Sequence, residues 1–131
     1  MKKLSLFLLF ILVATITASA ESLVFKSTHY SQQVLSNGKW DKWTKWEPCE
    51  VKIDIDLDTD RVTIYSNRTQ VYKITDYVGK TENKGDVSVK YLFVDQDGDK
   101  GTLRLRIRKD GRSEIYIDFA NIRWSYIVKR I

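Results

Sequence analysis

Apolar and polar side chains alternate along most of the chain after residue 20. The alternation is clearest over residues 51–57, where odd-numbered residues are apolar and even-numbered residues are polar. This period of two is typical of a β-strand with one buried face, and no window shows a helical stripe. Weaker alternation marks residues 23–30, 61–66 and 69–75. The strongest strands are predicted around Val51, Ile53, Ile55 and Leu57; Val87, Val89, Tyr91 and Phe93; Leu103, Leu105 and Ile107; Ile115, Ile117 and Phe119; and Ile122, Trp124, Tyr126 and Val128.

Loop lengths indicate how these strands pair. Consecutive antiparallel strands must turn their apolar residues to the same face. The sequence numbers of these apolar residues therefore decide whether the loop between two strands has an odd or an even number of residues. Residues 109–111 (Lys-Asp-Gly) supply the odd loop that Leu105 and Ile115 require, as a type I turn with a bulge at a left-handed Gly111. This register places Leu105 opposite Ile115, Leu103 opposite Ile117, and Arg106 opposite Glu114 on the solvent face.

The other loops follow the same rule. Residues 59–60 supply an even loop of two, and residues 96–100 supply an odd loop of five. The link after Phe119 is either a tight hairpin at residues 120–121 or a bulge within one strand, and we favour the hairpin. The sequence therefore predicts an all-β antiparallel meander of about eight strands. It closes into a compact barrel, in the size class of lipocalins and streptavidin, or folds into a two-sheet sandwich.

Residues 1–20 have the layout of a secretory signal peptide. Two lysines precede an apolar run over residues 4–16, and residues 18–20 (Ala-Ser-Ala) form a small-residue cleavage site. The apolar run is too short to favour a membrane span over an exported leader. We expect cleavage near Ala20, a secreted or periplasmic location, and a single β domain over residues 21–131 with no transmembrane segment.

Composition narrows the function classes. The chain has 22 Lys and Arg, 17 Asp and Glu, and one Cys. The lone Cys49 excludes an internal disulfide, so a hydrophobic core must stabilise the fold. Without the two leader lysines the net charge falls from +5 to +3, and nucleic acid is not an expected partner. The charge is uneven: residues 47–99 carry 12 acidic and 7 basic groups, and residues 100–131 carry 9 basic and 3 acidic groups.

Three arginines lie on one face of a predicted strand. Arg104, Arg106 and Arg108 alternate with apolar residues, and Arg123 is expected nearby. Guanidinium groups bind sulfate, phosphate and carboxylate groups through paired hydrogen bonds. The strand face is therefore either an anionic-group contact or an ordinary solvated surface.

Three tryptophans recur at a spacing of three. Trp40, Trp43 and Trp46 lie in residues 37–49 (NGKWDKWTKWEPC), and this spacing lines the indoles along one side of an extended backbone. Indole faces serve as platforms for sugar rings, aliphatic chains or cations. The indoles are therefore either an exposed recognition surface or plugs at one end of the barrel.

This short run resembles the tryptophan segment of thrombospondin type 1 repeats. Trp40, Trp43, Trp46 and Cys49 match its WxxWxxWxxC pattern. In that family a strand of alternating arginines interleaves with the indoles as a cation–π ladder, and the resemblance implies such stacking here by Arg104, Arg106 and Arg108. The family also has several disulfides, which a chain with one cysteine lacks, so no family is assigned.

The loop after Phe93 contains alternating aspartates. Asp95, Asp97 and Asp99 resemble the opening of a calcium-binding helix–loop–helix. Lys100 stands where that loop has glycine, and strands flank the loop. We expect a polar hairpin turn, with the three aspartates as the only candidate metal ligands and no cofactor.

The sequence contains few candidate catalytic residues. His29 is the only histidine, and residues 54, 56 and 58 are aspartates on the polar face of a strand. We expect a non-enzymatic binding module, a monomer or weak dimer, that contacts a glycan or anionic surface polymer through the tryptophan run and the arginine strand. Two alternatives remain. One is a structural or inhibitory protein that uses a strand edge. The other is a small barrel that carries an apolar ligand among Val89, Tyr91, Leu105, Ile117 and Trp124.

Overall fold

Nine strands account for most of the chain that the structure describes. The structure is a computed structural model that describes residues 22–131, and the predicted leader lies outside the described residues. Within residues 22–131 no helix is long and apolar enough to cross a membrane. The strands are β1 Ser22–Ser36, β2 Lys39–Trp40, β3 Glu47–Asp56, β4 Arg61–Tyr65, β5 Gln70–Asn83, β6 Asp86–Asp95, β7 Lys100–Ile107, β8 Ser113–Asp118 and β9 Ile122–Arg130.

Eight of these strands close into an antiparallel barrel. From β3 to β9 each strand pairs with the next, β1 pairs with β3, and β9 pairs with β1 from Phe25↔Arg130 to Val34↔Ile122. The remaining strand, β2, pairs only with the end of β1. The predicted all-β meander is confirmed, and the β1–β9 pairing decides for the barrel over the two-sheet sandwich.

The predicted alternation places large side chains in the barrel interior. Ile53, Leu103 and Ile117 are fully buried, and the ring of Phe93 stacks on that of Tyr72 at a centroid distance of 4.5 Å. The residues expected to surround an apolar ligand help to fill this interior. Leu105 and Ile117 are core residues, while Tyr91 and Trp124 are half-buried and pack against the core. Four of the five residues named for the carrier alternative thus take part in the packing of the core.

The β7–β8 turn forms as its sequence predicts. Gly111 has a φ of +91°, and its N–H donates to the carbonyl oxygen of Arg108 at 2.9 Å. The N–H of Arg108 donates to the carbonyl oxygen of Arg112 at 2.9 Å, and this hydrogen bond closes the three-residue loop between the two arginines. The predicted pairs Leu105↔Ile115, Leu103↔Ile117 and Arg106↔Glu114 are all present.

Two other turns have the predicted parity but a register shifted by two residues. The β6–β7 loop turns at residues 96–98, because left-handed Gly98 (φ +88°) forms the bulge and the N–H of Asp95 donates to Asp99. Phe93 therefore lies opposite Gly101 rather than Leu103. The β3–β4 loop has four residues, 57–60, because the Asp56 carboxylate accepts the N–H groups of residues 58 and 59.

The hairpin after β8 is confirmed, whereas the length of β5 was underestimated. Phe119 donates its N–H to the carbonyl of Ile122 at 2.8 Å, which leaves residues 120–121 as a two-residue turn. β5 continues to Asn83, well beyond the predicted residues 69–75. Its pairing with β6 is interrupted between Ile74 and Asp76 and again between Tyr77 and Gly79, and these bulges break the period-two pattern.

Two buried phenols and one half-buried phenol predict an unusual alkaline titration. Burial raises the pKa of Tyr91 and of Tyr126 to about 12 and raises the pKa of Tyr72 further, because the phenolate loses hydration. The folded state holds these protons more tightly than the unfolded state, so their stabilising contribution is complete below pH 10 and is lost as the pH rises through 12. Near-ultraviolet phenolate absorbance should show that three of the seven tyrosines ionise only as circular dichroism reports unfolding. Ionisation of all seven near pH 10 in a folded protein would contradict this.

Candidate functional site

The tryptophan segment, residues 41–46, follows the edge of β1. A two-residue hairpin at Asn37 and Gly38, both with positive φ, reverses the chain after β1. The N–H of Asp41 donates to the carbonyl of Val34, and the N–H of Thr44 donates to the carbonyl of Gln32, each at 2.9 Å. The segment is therefore held by backbone hydrogen bonds although it forms no regular strand.

Trp40 stacks on an arginine of β9. The Arg123 guanidinium lies 3.8 Å from the centroid of the Trp40 ring and donates a hydrogen bond of 3.2 Å to Gln33 Oε1 on β1. This contact joins Trp40, the last residue of β2 before the tryptophan segment, to the outer face of the β1–β9 pair. A cation over an indole face is favourable, more so when it is partly desolvated.

Trp43 packs on the outer face of β8. Its ring meets the ring of Tyr116 edge-on at a centroid distance of 6.1 Å, and the Arg104 guanidinium lies 4.3 Å from the Tyr116 centroid. The paired Ser31 and Ser125 beside Tyr116 are buried although they point outward. The hydroxyl of Ser31 donates to the carbonyl of Thr44 at 2.6 Å, which shows that the tryptophan segment covers this row.

Trp46 is linked to a buried carboxylate. The Arg112 guanidinium lies 5.7 Å from the Trp46 centroid and donates two hydrogen bonds to Glu114 Oε2, of 2.9 and 2.5 Å. Tyr116 donates its hydroxyl to Glu114 Oε1 at 2.9 Å. Glu114 is 1% exposed, so its expected place on a solvated face is wrong. The side chains packed around it exclude water from this part of the outer wall.

The three predicted arginines have different surroundings. The guanidinium of Arg104 lies over the Tyr116 ring, 4.3 Å from its centroid. Arg106 and Arg108 lie 3.8 and 3.7 Å from the Glu114 carboxylate, and Arg106 also binds Asp86 at 2.8 Å. The hydrogen bond from Arg106, together with that from the N–H of Lys109, lowers the pKa of Asp86. The cation–π partners of the tryptophans are instead Arg112 and Arg123.

We name these stacked side chains the aromatic–arginine face. Its outer surface remains open, because Trp43 and Trp46 are each 40% exposed, while Trp40 is half-buried. The indoles lie on the outer wall and do not plug a barrel end, since the neighbours of Tyr116 on β8, Ile115 and Ile117, point into the core. The face consists of Trp40, Trp43, Trp46, Tyr116, Arg104, Arg112 and Arg123.

The aspartate loop forms a polar turn. Asp95 Oδ1 accepts the N–H groups of Asp97 and Asp99 at 2.9 and 2.8 Å, so this carboxylate closes the hairpin. Among residues 22–131 no three His, Cys, Asp or Glu side chains are grouped to hold a metal ion. Asp95, Asp97 and Asp99 therefore do not converge as the calcium-loop resemblance requires.

The lone cysteine and histidine belong to the wall of the barrel. Cys49 is half-buried against the core, with its Sγ 3.2 Å from the Ser27 hydroxyl. The Nδ1 of His29 lies 3.1 Å from the hydroxyl of Thr28. These contacts are with neighbouring hydroxyls, and neither residue belongs to the aromatic–arginine face.

Comparison with known proteins identifies no family. No family model matches the chain, and no curated protein matches it. One solved structure is similar, the isotype 1 transferrin binding protein B from serogroup B Neisseria meningitidis, with 11% identity and a TM-score of 0.39 over 87% of this chain. The match spans 27% of that protein's length. Likeness at this level establishes neither a family nor a function, so the function is inferred from the chain's own residues.

Proposed function

We propose that the protein is an exported, non-enzymatic binding module whose aromatic–arginine face binds a glycan that carries anionic groups. The observation that carries this proposal is the pair of exposed indoles on a fixed support. Trp43 and Trp46 each leave 40% of their surface in water, although both pack against side chains of the barrel wall. A large apolar ring held open to solvent commonly marks a contact surface.

Rigid support favours binding because little side-chain freedom is lost when a ligand arrives. Trp43 is supported by Tyr116 and Trp46 by Arg112, and the segment between them is hydrogen-bonded to β1. Preorganised aromatic anchors reduce the entropic cost of association. The apolar faces of sugar rings match such platforms in shape and polarity.

Charge around the indoles favours an anionic ligand. Three arginines surround Glu114, which can balance one of them. Arg106 has a second partner in Asp86. Arg104 and Arg123 have no carboxylate of a described residue within 4.0 Å, although the charge of Asp118 acts on both, and they stack on Tyr116 and Trp40. Their planar guanidinium groups suit sulfate, phosphate or carboxylate oxygens.

An array of neutral, sulfated and carboxylated glycans tests this proposal. We expect Trp43→Ala to weaken binding to the best ligand at least about tenfold, since loss of stacking and of a rigid anchor removes more than about 1.4 kcal/mol. Tyr65→Ala is the matched control, because Tyr65 is 46% exposed on β4, away from the face. Circular dichroism of each variant checks the fold. Unchanged binding by Trp43→Ala and by Arg104→Gln would exclude the face as the binding surface.

A second candidate function uses the edge of β5. β4 pairs only with residues 70–73 of β5, so residues 79–83 have a strand on the β6 side alone. Val78 beside this edge is 53% exposed. A partner could add a strand there by main-chain hydrogen bonds. Under this alternative, proline in place of Thr81 abolishes partner binding while Trp43→Ala leaves it intact.

A further inference from the structure

A groove on the outer wall adjoins the aromatic–arginine face. It has a volume of about 390 Å³ and lies over β5, β6 and β7. Its lining residues are Val78, Gly79, Lys80, Thr81, Ser88, Lys90 and Arg104. None of its lining residues is acidic. The groove therefore combines three basic residues with two hydroxyl groups and has no carboxylate in its lining.

The hollow arises from a missing side chain in one row of the sheet. Gly79 pairs with Lys90, Lys90 with Arg104, and Arg104 with Tyr116, so these four residues form a line across β5, β6, β7 and β8. A Cβ placed on Gly79 would meet nothing within 4 Å. The φ of Gly79, +153°, is one that side chains with a Cβ rarely adopt, so glycine keeps this end of the row open.

Arg104 is held in position with donor capacity to spare. Its guanidinium stacks on Tyr116 at 4.3 Å, and its Nε is buried with no hydrogen-bond partner among the described residues. A buried, unpaired donor of this kind is costly unless a ligand or water satisfies it. Lys90 is exposed at the same groove, and no ion pair joins either cation to a described carboxylate.

One carboxylate lies close to this pair. Asp118 on β8 is half-buried, and its pKa is raised by burial, an effect that the charges of Arg104, Arg123 and Lys90 oppose. Its Oδ1 also has no hydrogen-bond partner among the described residues. Asp118 offsets part of the positive charge but does not occupy the groove, whose lining excludes it.

We propose that this groove binds a tetrahedral oxyanion, a sulfate or phosphate group, between Lys90, Arg104 and the hydroxyls of Thr81 and Ser88. The row that starts at Gly79 ends at Tyr116, on which Trp43 packs, so the groove and the indole are about three strand spacings apart, or about 14 Å. The ligand of the whole surface is then a sulfated or phosphorylated oligosaccharide that spans the groove and the indole. This part of the inference rests on the proposed function.

Titration with inorganic sulfate and inorganic phosphate, against chloride at equal ionic strength, tests the groove alone. Amide chemical shifts of Gly79, Thr81 and Ser88 should change saturably with either oxyanion, and Lys90→Gln should weaken that binding about tenfold, as loss of a charge-assisted hydrogen bond does. Lys73→Gln is the matched control, because Lys73 is an exposed lysine of the neighbouring strand β5 that lies outside the groove. Gly79→Ala, if it folds, should block the groove sterically. The absence of a saturable shift, or an equal loss with Lys73→Gln, would overturn the proposal.

A second binding experiment, with a sulfated oligosaccharide, distinguishes an error in the proposed groove from an error in the proposed function. Trp43→Ala should leave binding of the inorganic ions unchanged but weaken a sulfated oligosaccharide, and Lys90→Gln should weaken both. If Lys90→Gln leaves the oligosaccharide unaffected while Trp43→Ala weakens it, the groove is not part of the glycan site and the proposed function stands. If the ions bind but Trp43→Ala has no effect on any glycan, the groove stands and the proposed function falls.

Discussion

Replacing Gly101 with alanine should destabilise the barrel by about 3 kcal/mol and lower its melting temperature by about 10–15 °C. A Cβ at Gly101 would lie 2.5 Å from Cζ of Phe93 and 2.7 Å from the carbonyl oxygen of Asp118. The Phe93 ring is part of a packed aromatic cluster with Tyr72 and Phe119, and the carbonyl belongs to the paired strand β8. Neither neighbour can move away without disturbing the core.

Chemical denaturation with circular dichroism as the readout measures this loss. Gly111→Asn is the control, because a Cβ at Gly111 meets nothing within 4 Å and asparagine tolerates left-handed backbone, so the cost should stay near about 1 kcal/mol. The double variant that also carries Phe93→Leu should recover only part of the stability, since the Asp118 carbonyl remains in place. Equal stability of Gly101→Ala and the wild type would contradict the β6–β7 register described above.

Glu114→Gln should cost about 2–3 kcal/mol, somewhat below the range for breaking a fully buried ion pair. The carboxylate is 1% exposed and receives hydrogen bonds from Arg112 and Tyr116, with Arg106 and Arg108 within 4 Å. The neutral amide leaves these guanidinium groups without their shared anion. Because they are each about one-third exposed, water screens part of the loss.

The matched control for Glu114 is an exposed ion pair on another wall. Glu50 lies 3.4 Å from Lys26 with 82% of its side chain exposed, so Glu50→Gln should change the free energy of unfolding by less than about 0.5 kcal/mol. Because Arg112 also contacts Trp46, Glu114→Gln should increase quenching of tryptophan fluorescence by an added solute. Similar unfolding free energies for the two variants would show that Glu114 does not organise this wall.

Loop chemistry explains which registers were predictable from the sequence. The β7–β8 loop has one glycine, Gly111. The parity rule requires an odd number of loop residues, and a left-handed glycine at position 111 is compatible with one turn type. The link between β6 and β7 has glycines at position 98, in the loop, and at position 101, at the start of β7, and two odd-length loops satisfy the parity rule equally well. The choice between them depends on Phe93, whose ring needs the space above Gly101. That contact is tertiary, and alternation along the chain carries no information about it.

The candidate site was predictable in its tryptophans but not in their arginine partners. Spacing alone identified Trp40, Trp43 and Trp46 as unusual, and two of them are exposed. Their partners are Arg112, at the end of the β7–β8 loop, and Arg123 on β9. Both reach the tryptophan segment only because β9 pairs with β1. Closure of a barrel brings together residues far apart in the chain, so the local resemblance wrongly selected Arg104, Arg106 and Arg108 as the stacking partners of the tryptophans.

The seam between β1 and β9 has a consequence for how the protein acquires its fold. Thr28 and Ile127, which meet across this seam, are 99 residues apart in the sequence. A nascent chain that has not yet released β9 from the ribosome cannot complete the wall, and both β1 and β8 then present open edges. Folding must wait for this long-range pairing, which makes it slow, and the incomplete sheet needs protection from aggregation until the last strand is added.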